Sequence, residues 1–379
     1  MEALANARVL LDDGFAEGRV VLVEDGRIAG VVAPSDPRCA GACMRDLDGA
    51  LLVPGFVDVQ VNGGGGVLFN DAPGVETIRT IARAHRRFGT TSFLPTLISD
   101  DLPVVARAIG AVRDAIGAGV PGVAGIHLEG PFLSEARKGT HDASKFRSLD
   151  REAVQLLASL GTARTLVTLA PEETTPEQIR ALVRAGAIVS AGHTNATYAV
   201  MRAALDAGVS GFTHLFNAMS PFTHREPGVV GAALHDDASW CGIIVDGHHA
   251  SAVALQIALR CKRPDRFMLV TDAMSSVGAD SDSFMLQGKR ILVRDGRCVD
   301  ESGVLSGSAL DMATAVRNTV SMLGVPLEQA LRMASTYPAA VLGLDAEIGR
   351  IAPGYRANLV ATDANLAIHA TWIDGATSG

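Results

Sequence analysis

The sequence lacks any segment suited to a membrane or to nucleic acid. No run of about 18 uninterrupted apolar residues occurs in the chain, and a membrane-spanning helix requires one. The net charge is −8 and no cluster of Lys and Arg stands out, whereas binding to a phosphate backbone needs a basic face. The start of the chain also has no basic segment followed by an apolar one, which a secretion signal would require. We therefore expect a soluble, cytoplasmic protein with neither nucleic acid nor a membrane as its partner.

Cysteine is also scarce, at five residues. Cys39 and Cys43 form the only close pair, but their C-x-x-x-C spacing is not the redox C-x-x-C, and no second pair lies at zinc-ribbon spacing. We interpret this pair as part of a surface loop. By contrast, hydrophobic residues make up 48% of the chain and glycine is plentiful at 40 residues, as expected for an α/β protein with many tight loops.

The two ends of the chain have the same β character. Residues 1–52 contain short apolar runs separated by turns, including Glu24-Asp25-Gly26, which is typical of a hairpin. Residues 353–379 alternate strands and turns without a helical period. We expect these two ends to pair into one small β-sandwich domain beside a central domain at 53–352.

Apolar strands and amphipathic helices alternate through the central domain. Eight strands are predicted, at 53–61, 91–97, 122–129, 164–170, 187–193, 211–216, 241–247 and 266–273. Eight strands joined by crossover helices indicate a (β/α)8 barrel of the TIM type. A doubly wound open sheet is the competing fold, but no G-x-G-x-x-G follows the first strand. A hairpin is predicted at 284–299, and the sequence does not place it in the fold.

Polar residues at the ends of the strands predict a metal site, because the carboxyl ends of barrel strands surround the active site. Glu129, His193 and His214 end the third, fifth and sixth strands. One Glu and two His form a ligand set suited to a catalytic zinc ion. Singly, each is more simply explained as a hydrogen-bonded residue at the barrel rim. Together they predict one divalent metal ion per subunit, with zinc preferred.

Asp272 ends the eighth strand and is the predicted acid–base group. Zinc lowers the pKa of a bound water to about 7, and a neighbouring carboxylate can take its proton and return it to a leaving group. The alternative is that Asp272 caps the following loop. The first strand carries Gln60 and Asn62 where His-x-His often binds a metal, so we expect a single metal ion, with these amides donating hydrogen bonds to its water or to a substrate.

Nine motifs, in order, resemble the N-acetylglucosamine-6-phosphate deacetylases of the amidohydrolase superfamily. They are VPGFVDVQVNG, GIHLEGPFL, GTH, SAGHTNATY, THLFNAM, EPGVVGAAL, DGHH, LVTDAM and LSGSAL. The resemblance implies hydrolysis of the acetamide of N-acetylglucosamine 6-phosphate to glucosamine 6-phosphate and acetate, in amino-sugar catabolism or cell-wall recycling. It also implies a homodimer with active sites near the interface.

Carried over residue by residue, the resemblance repeats the metal set above, with Asp272 as general base and then acid. It adds His141 as a catalytic and substrate-binding residue near the acetamide carbonyl, and Arg225 as the phosphate ligand. Without the resemblance, Arg225 would be read as a solvated loop charge. The full set of expected substrate-binding residues is Gln60, Asn62, His141, Asn217, Ala218, Arg225, His249, Leu305, Ser306 and Gly307.

The sequence leaves two other functions open. The same barrel with different loops serves other amidohydrolases, such as cyclic-amide hydrolases or deaminases, and the fold alone does not separate them. A non-enzymatic binding module is the second alternative. Metal analysis and acetate release distinguish both from a deacetylase.

Overall fold

The computed structural model describes residues 1–377, and its N-terminal strands begin a sheet that the C-terminal strands complete. The first strands are β1 (Glu2–Leu11), β2 (Gly14–Glu24), β3 (Arg27–Val32), β4 (Cys43–Asp46) and β5 (Leu51–Pro54), with a 3-10 helix at Pro37–Gly41. β1 pairs antiparallel with β2 and parallel with β4 and β5. Asp25 and Gly26 both have positive φ, 49° and 76°, in the two-residue turn from β2 to β3, as the sequence predicted.

The central strands form a parallel barrel. They are β6 (Phe56–Val61), β7 (Gly63–Gly64), β8 (Val67–Leu68), β9 (Thr90–Ile98), β10 (Gly125–Glu129), β11 (Arg164–Leu169), β12 (Ile188–Ala191), β13 (Gly211–Phe212), β14 (Trp240–Ile243) and β15 (Phe267–Leu269). All except the short pair β7 and β8 belong to one sheet of eight strands in sequence order. A doubly wound sheet would reverse its strand order part-way across, so the predicted (β/α)8 barrel is confirmed.

The seam between the last and first barrel strands is closed by single hydrogen bonds just beyond β15. The backbone N–H of Asp272 donates to the carbonyl oxygen of Gln60 at 3.0 Å. The fully buried Asp58 carboxylate accepts from the Thr271 N–H at 3.3 Å and the Thr271 hydroxyl at 2.5 Å. These bonds fix Asp272 against the end of β6.

Helices cover the outside of the barrel. They are α1 (Val75–Arg86), α2 (Leu102–Gly117), α3 (Arg151–Leu157), α4 (Pro176–Arg184), α5 (Tyr198–Ala207), α6 (Gly228–His235) and α7 (Ala252–Cys261), with 3-10 helices at Glu135–Arg137, Ala143–Lys145, Pro171–Glu173 and Pro264–Arg266. Thr175 and Gln178 form a capping box at the start of α4, which satisfies free N–H groups there. Gly208 ends α5 with φ of 113°, the left-handed conformation that glycine adopts at helix ends.

The hairpin predicted at 284–299 is part of a four-stranded antiparallel sheet after the eighth barrel strand. Its strands are β16 (Ser283–Leu286), β17 (Lys289–Arg294), β18 (Arg297–Asp300) and β19 (Leu305–Ser308), and α8 (Met312–Leu323), α9 (Leu327–Ala334) and α10 (Thr336–Val341) follow. Leu286 and Leu305 line the cavity at the carboxyl ends of the barrel strands. The inserted sheet therefore covers part of the barrel mouth.

The last strands return to the first sheet. They are β20 (Leu359–Thr362), β21 (Ile368–Ile373) and β22 (Ala376–Thr377), and β20 pairs antiparallel with β5. Trp372 is fully buried in the apolar core that both ends of the chain share. One small β unit built from both ends is thereby confirmed. The boundaries 1–52, 53–352 and 353–379 stay a prediction, and residues 378 and 379 lie outside the described residues. Within 1–377, no helix has the length and apolar character to cross a membrane.

Candidate active site

The predicted metal ligands converge at the carboxyl ends of three barrel strands. Glu129 is the last residue of β10, and His193 and His214 each lie two residues beyond a strand, β12 and β13. The Glu129 Oε1 atom lies 2.9 Å from His214 Nε2 and 3.3 Å from His193 Nε2, and the two Nε2 atoms are 3.2 Å apart. All three side chains are buried. One oxygen and two nitrogens therefore face a common point.

This geometry fits a zinc ion. Tetrahedral ligands about 2.0–2.1 Å from zinc stand roughly 3.3 Å from each other, close to the three separations here. The ring of His193 is also oriented, because its Nδ1 donates to the carbonyl oxygen of Arg137 at 2.9 Å. Metal-binding histidines commonly use their second nitrogen in this way, which leaves Nε2 free as a ligand.

Three of the residues predicted to bind the metal or to act as the base have an uncommon backbone conformation. His193, His214 and Asp272 have φ of 48°, 34° and 51°, the left-handed region that residues with a side chain rarely adopt. Such a conformation costs on the order of 1–3 kcal/mol and persists only where the surroundings impose it. The barrel thus holds these three residues in fixed positions that favour a functional role over a purely structural one.

Burial and neighbouring charge shift the two carboxylates in opposite directions. Burial raises the pKa of Glu129, but the adjacent His193 and His214 imidazoles outweigh it and hold that pKa well below its usual range. For Asp272, burial and then the negative charge of Glu129 raise the pKa to about 6. A carboxylate with a pKa near the working pH suits acid–base chemistry, whereas a permanently ionised one suits a metal ligand.

Two amides hold the Asp272 carboxylate. Asn62 Nδ2 donates to Asp272 Oδ1 at 2.6 Å, and Gln60 Nε2 donates to the same oxygen at 3.2 Å. Gln60 Nε2 also lies 3.2 Å from both oxygens of Glu129. Of the two residues in the His-x-His positions, Gln60 therefore connects the two carboxylates, and Asn62 holds Asp272.

His141 lies beside this cluster, with its ring centroid 4.4 Å from that of His193. Its Nδ1 is 2.8 Å from the Ser99 hydroxyl and accepts a long, 3.4 Å hydrogen bond from the Ser99 N–H. Since a backbone N–H can only donate, the ring proton resides on Nε2. Burial, followed by the charge of His193, holds the pKa of His141 well below its usual range, so the ring is a neutral hydrogen-bond donor.

A cavity of about 210 Å³ joins most of the predicted site residues. Those that line it are Asn62, Glu129, His141, His193, His214, Asn217, Ala218, His249, Asp272, Leu305 and Gly307. Gln60 lies behind the carboxylates, and Ser306 donates to the Thr140 hydroxyl at 3.1 Å. Arg225 is exposed and does not line the cavity, so the fold of a single chain does not bring it together with the others.

Sequence reasoning missed two residues that support the site. Ser99 directly follows β9 and holds His141, and the end of that strand would have signalled it. Asp246 accepts from His249 Nδ1 at 2.6 Å and from the N–H groups of His248 and His249. The Asp-Gly-His-His motif predicts a role for His249, and the Asp246 carboxylate is what orients that ring.

Comparison with known proteins identifies the family. Residues 51–377 match the Amidohydrolase family. An N-acetylgalactosamine-6-phosphate deacetylase of Shewanella sp. (strain ANA-3) is 43% identical over 97% of this chain and 94% of its own length. The N-acetylglucosamine-6-phosphate deacetylase of Haemophilus influenzae is 37% identical over 93% of each chain. This chain belongs to the amidohydrolase family.

Solved structures agree with this assignment to the amidohydrolases. The N-acetylglucosamine-6-phosphate deacetylase from Pasteurella multocida superposes with a TM-score of 0.96 at 37% identity, covering 100% of this chain and 99% of that one. An aspartate-to-alanine variant of the Mycobacterium smegmatis enzyme, in complex with N-acetyl-D-glucosamine-6-phosphate, gives 0.91 at 34% identity over 99% and 98%. The resemblance found in the nine motifs is thereby confirmed.

Proposed function

We propose that this protein hydrolyses the acetamide of N-acetyl-D-glucosamine 6-phosphate to D-glucosamine 6-phosphate and acetate. The observation that carries the proposal is the convergence of Glu129, His193 and His214 on one point, with Asp272 and His141 on the wall of the same cavity. Relatives named for this reaction cover nearly the whole chain. With that substrate, the protein is proposed to act in amino-sugar catabolism or in cell-wall recycling.

We propose that the three convergent residues hold one divalent metal ion per subunit, with zinc preferred. When bound, a zinc ion would act as a Lewis acid and lower the pKa of a water ligand to about 7. Glu129 contributes a negative charge because its pKa lies well below its usual range. The two imidazoles contribute neutral nitrogens, so the set resembles catalytic zinc sites that have three protein ligands and one open position.

Asp272 is the proposed base and acid. Asn62 and Gln60 both donate to its Oδ1, which leaves Oδ2 to take a proton from the attacking water. The carboxyl group then returns that proton to the nitrogen of the leaving amine, so the amine departs as a neutral group. His141 Nε2–H donates to the acetamide oxygen and stabilises the negative charge that develops there.

The remaining cavity residues are proposed to bind the sugar phosphate. Asn217 and the backbone of Ala218 face the cavity from the loop after β13, and His249 faces it from the loop after β14. Asp246 accepts from His249 Nδ1 at 2.6 Å, which orients this ring at the cavity. Leu305, Ser306 and Gly307 are proposed to close around the sugar from the inserted sheet.

The position of Arg225 outside the cavity bears on the oligomeric state. Exposed apolar side chains lie beside the Arg225 loop, with Phe222 at 62% and Ile257 at 50% exposure around an apolar recess. Exposed apolar patches of this kind mark association surfaces. We propose that a second copy covers this face as a homodimer, with Arg225 contributing to a phosphate site near the interface. Light scattering on wild type and on Ile257→Glu tests the dimer, which the charge is expected to weaken.

A substrate panel tests the reaction. Acetate and ammonia release are measured with N-acetylglucosamine 6-phosphate, its galactosamine epimer, and both unphosphorylated sugars. Acetate from the glucosamine phosphate, lost with a chelator and restored by zinc, is the expected result. The N-acetylgalactosamine 6-phosphate epimer is a second candidate, because the 43% identical relative carries that name. Ammonia without acetate would instead identify a deaminase, and neither product with no bound metal would favour a binding module.

A further inference from the structure

The turn between β16 and β17 has an unexpected residue at its tip. Leu286 pairs with Lys289, so Gln287 and Gly288 form a two-residue turn, and their φ values are +48° and +80°. A turn with two positive φ values strongly prefers Asn or Asp followed by Gly. Gln is less suited to the left-handed region. A residue held in an unfavourable conformation points to a role for its side chain.

The Gln287 side chain uses both ends of its amide on the barrel. Its Nε2 donates to the carbonyl oxygen of Ser99 at 2.9 Å, and its Oε1 accepts from the N–H of Asp142 at 3.0 Å. Ser99 follows β9, whereas Asp142 belongs to the long loop after β10. The amide therefore joins three segments that are distant in sequence.

These two contacts lie on either side of His141. Ser99 holds the His141 ring through its hydroxyl at 2.8 Å, and Asp142 is the next residue along the chain. Leu286, adjacent to Gln287, lines the cavity, and it packs in one apolar cluster with Ile98. The hairpin tip is thus seated at the mouth of the site, and its amide connects the two backbones that set the position of the imidazole.

We propose that Gln287 is a positioning residue, whose amide clasps the inserted hairpin to the Ser99 and Asp142 backbones and thereby holds His141 in its reactive position. The role in catalysis rests on the proposed deacetylase function. The clasp itself does not, because it is a set of hydrogen bonds within the protein. A simple turn residue would be replaced by Asn without loss, whereas a clasp needs the additional methylene of Gln to reach both backbones.

Gln287→Asn separates these two roles. Asn is the better residue for the turn, so the melting temperature is expected to stay the same or rise. Asn is shorter by one methylene and does not reach both Ser99 and Asp142. We therefore expect kcat for the acetylated sugar phosphate to fall on the order of tenfold, which corresponds to the loss of about one to two hydrogen bonds. The matched control is Asp295→Asn, in the exposed turn between β17 and β18, which should leave kcat and KM unchanged.

A double-mutant cycle with His141→Ala shows whether the effect passes through that ring. In the His141→Ala background, Gln287→Asn is expected to cost less than twofold. Equal losses in both backgrounds would overturn the positioning role.

Amide hydrogen exchange tests the clasp without any substrate. The Asp142 N–H loses its acceptor in Gln287→Asn, so exchange in the segment 139–146 is expected to accelerate relative to wild type and to Asp295→Asn. If wild type releases no acetate but this segment exchanges faster in the variant, the deacetylase function fails and the clasp stands. If wild type is active and the variant keeps wild-type kcat and exchange, the clasp is wrong.

Discussion

Asp272→Asn removes the proposed acid–base group with little change of shape. The amide oxygen of the introduced Asn can accept from Asn62 and Gln60, which now donate to Asp272 Oδ1 at 2.6 and 3.2 Å. The bond from the Asp272 N–H to the Gln60 carbonyl oxygen is a backbone contact and does not depend on the side chain. The variant should therefore fold and keep the metal site.

The expected loss is in kcat alone. An amide cannot take a proton from water, and general acid–base catalysis is typically worth about 10²- to 10⁴-fold, which corresponds to about 2.7–5.4 kcal/mol of barrier. Burial and the charge of Glu129 raise the pKa of Asp272 to about 6. Because the base must be ionised, kcat/KM of wild type should fall as the pH drops through about 6, and the residual activity of the variant should lack this limb.

The assay combines acetate release with two binding measurements. Metal content by mass spectrometry and substrate affinity by calorimetry are expected to match wild type, and the exposed Asp280→Asn serves as the control. Wild-type turnover in Asp272→Asn would refute the assignment of the base. Loss of metal together with turnover would show that Asp272 supports the metal site instead.

Three further substitutions have an expected direction of effect on KM or on stability. Arg225→Ala should raise KM for the 6-phosphate substrate at least tenfold and leave an unphosphorylated analogue unaffected, and equal loss on both would contradict a phosphate contact. Burial raises the pKa of Asp236, but hydrogen bonds from the Arg202 guanidinium and then from Ser239 outweigh it and bring it to about 2, so Asp236→Asn should cost about 1–2 kcal/mol at pH 7 after allowance for the partly exposed Arg202. That difference, measured by thermal unfolding, should shrink as the pH falls from about 4 towards 2, and a constant difference would show that the ionised carboxylate of Asp236 does not stabilise the fold. Gly110→Ala within α2, where an added Cβ meets nothing within 4 Å, should stabilise by about 0.5–1 kcal/mol, and a lower melting temperature would contradict it.

The sequence predicted the barrel and its Glu/His/His cluster because both depend on local order along the chain. Apolar strands alternate with amphipathic helices, and crossover connections place every strand end on the same face. The sequence alone therefore predicts that Glu129, His193 and His214 lie close together, because each lies at or just past the end of its strand. Their actual separations of 2.9–3.3 Å are what make these three rim residues a candidate ligand set.

The supporting contacts could not be predicted in the same way. Gln287 and Ser99 are 188 residues apart, and their contact depends on how the inserted sheet folds back over the barrel mouth. Asp58 ties β6 to Thr271 across 213 residues, at the one seam where the strand order along the chain gives no neighbour. Arg225 is the converse case. The motif resemblance implies that it binds the phosphate, but the fold of one chain leaves it exposed and outside the cavity.

The sequence by itself determined which elements form and which side chains end them, because hydrophobic periodicity and turn residues act over a few neighbouring positions. Tertiary structure alone decided the hydrogen bonds that orient these side chains and set their charge. The pKa of Asp272 near 6 arises from burial and from Glu129, a residue 143 positions earlier (272 − 129). Electrostatic interaction depends on distance in space and on exclusion of water, and neither can be read from spacing along the chain.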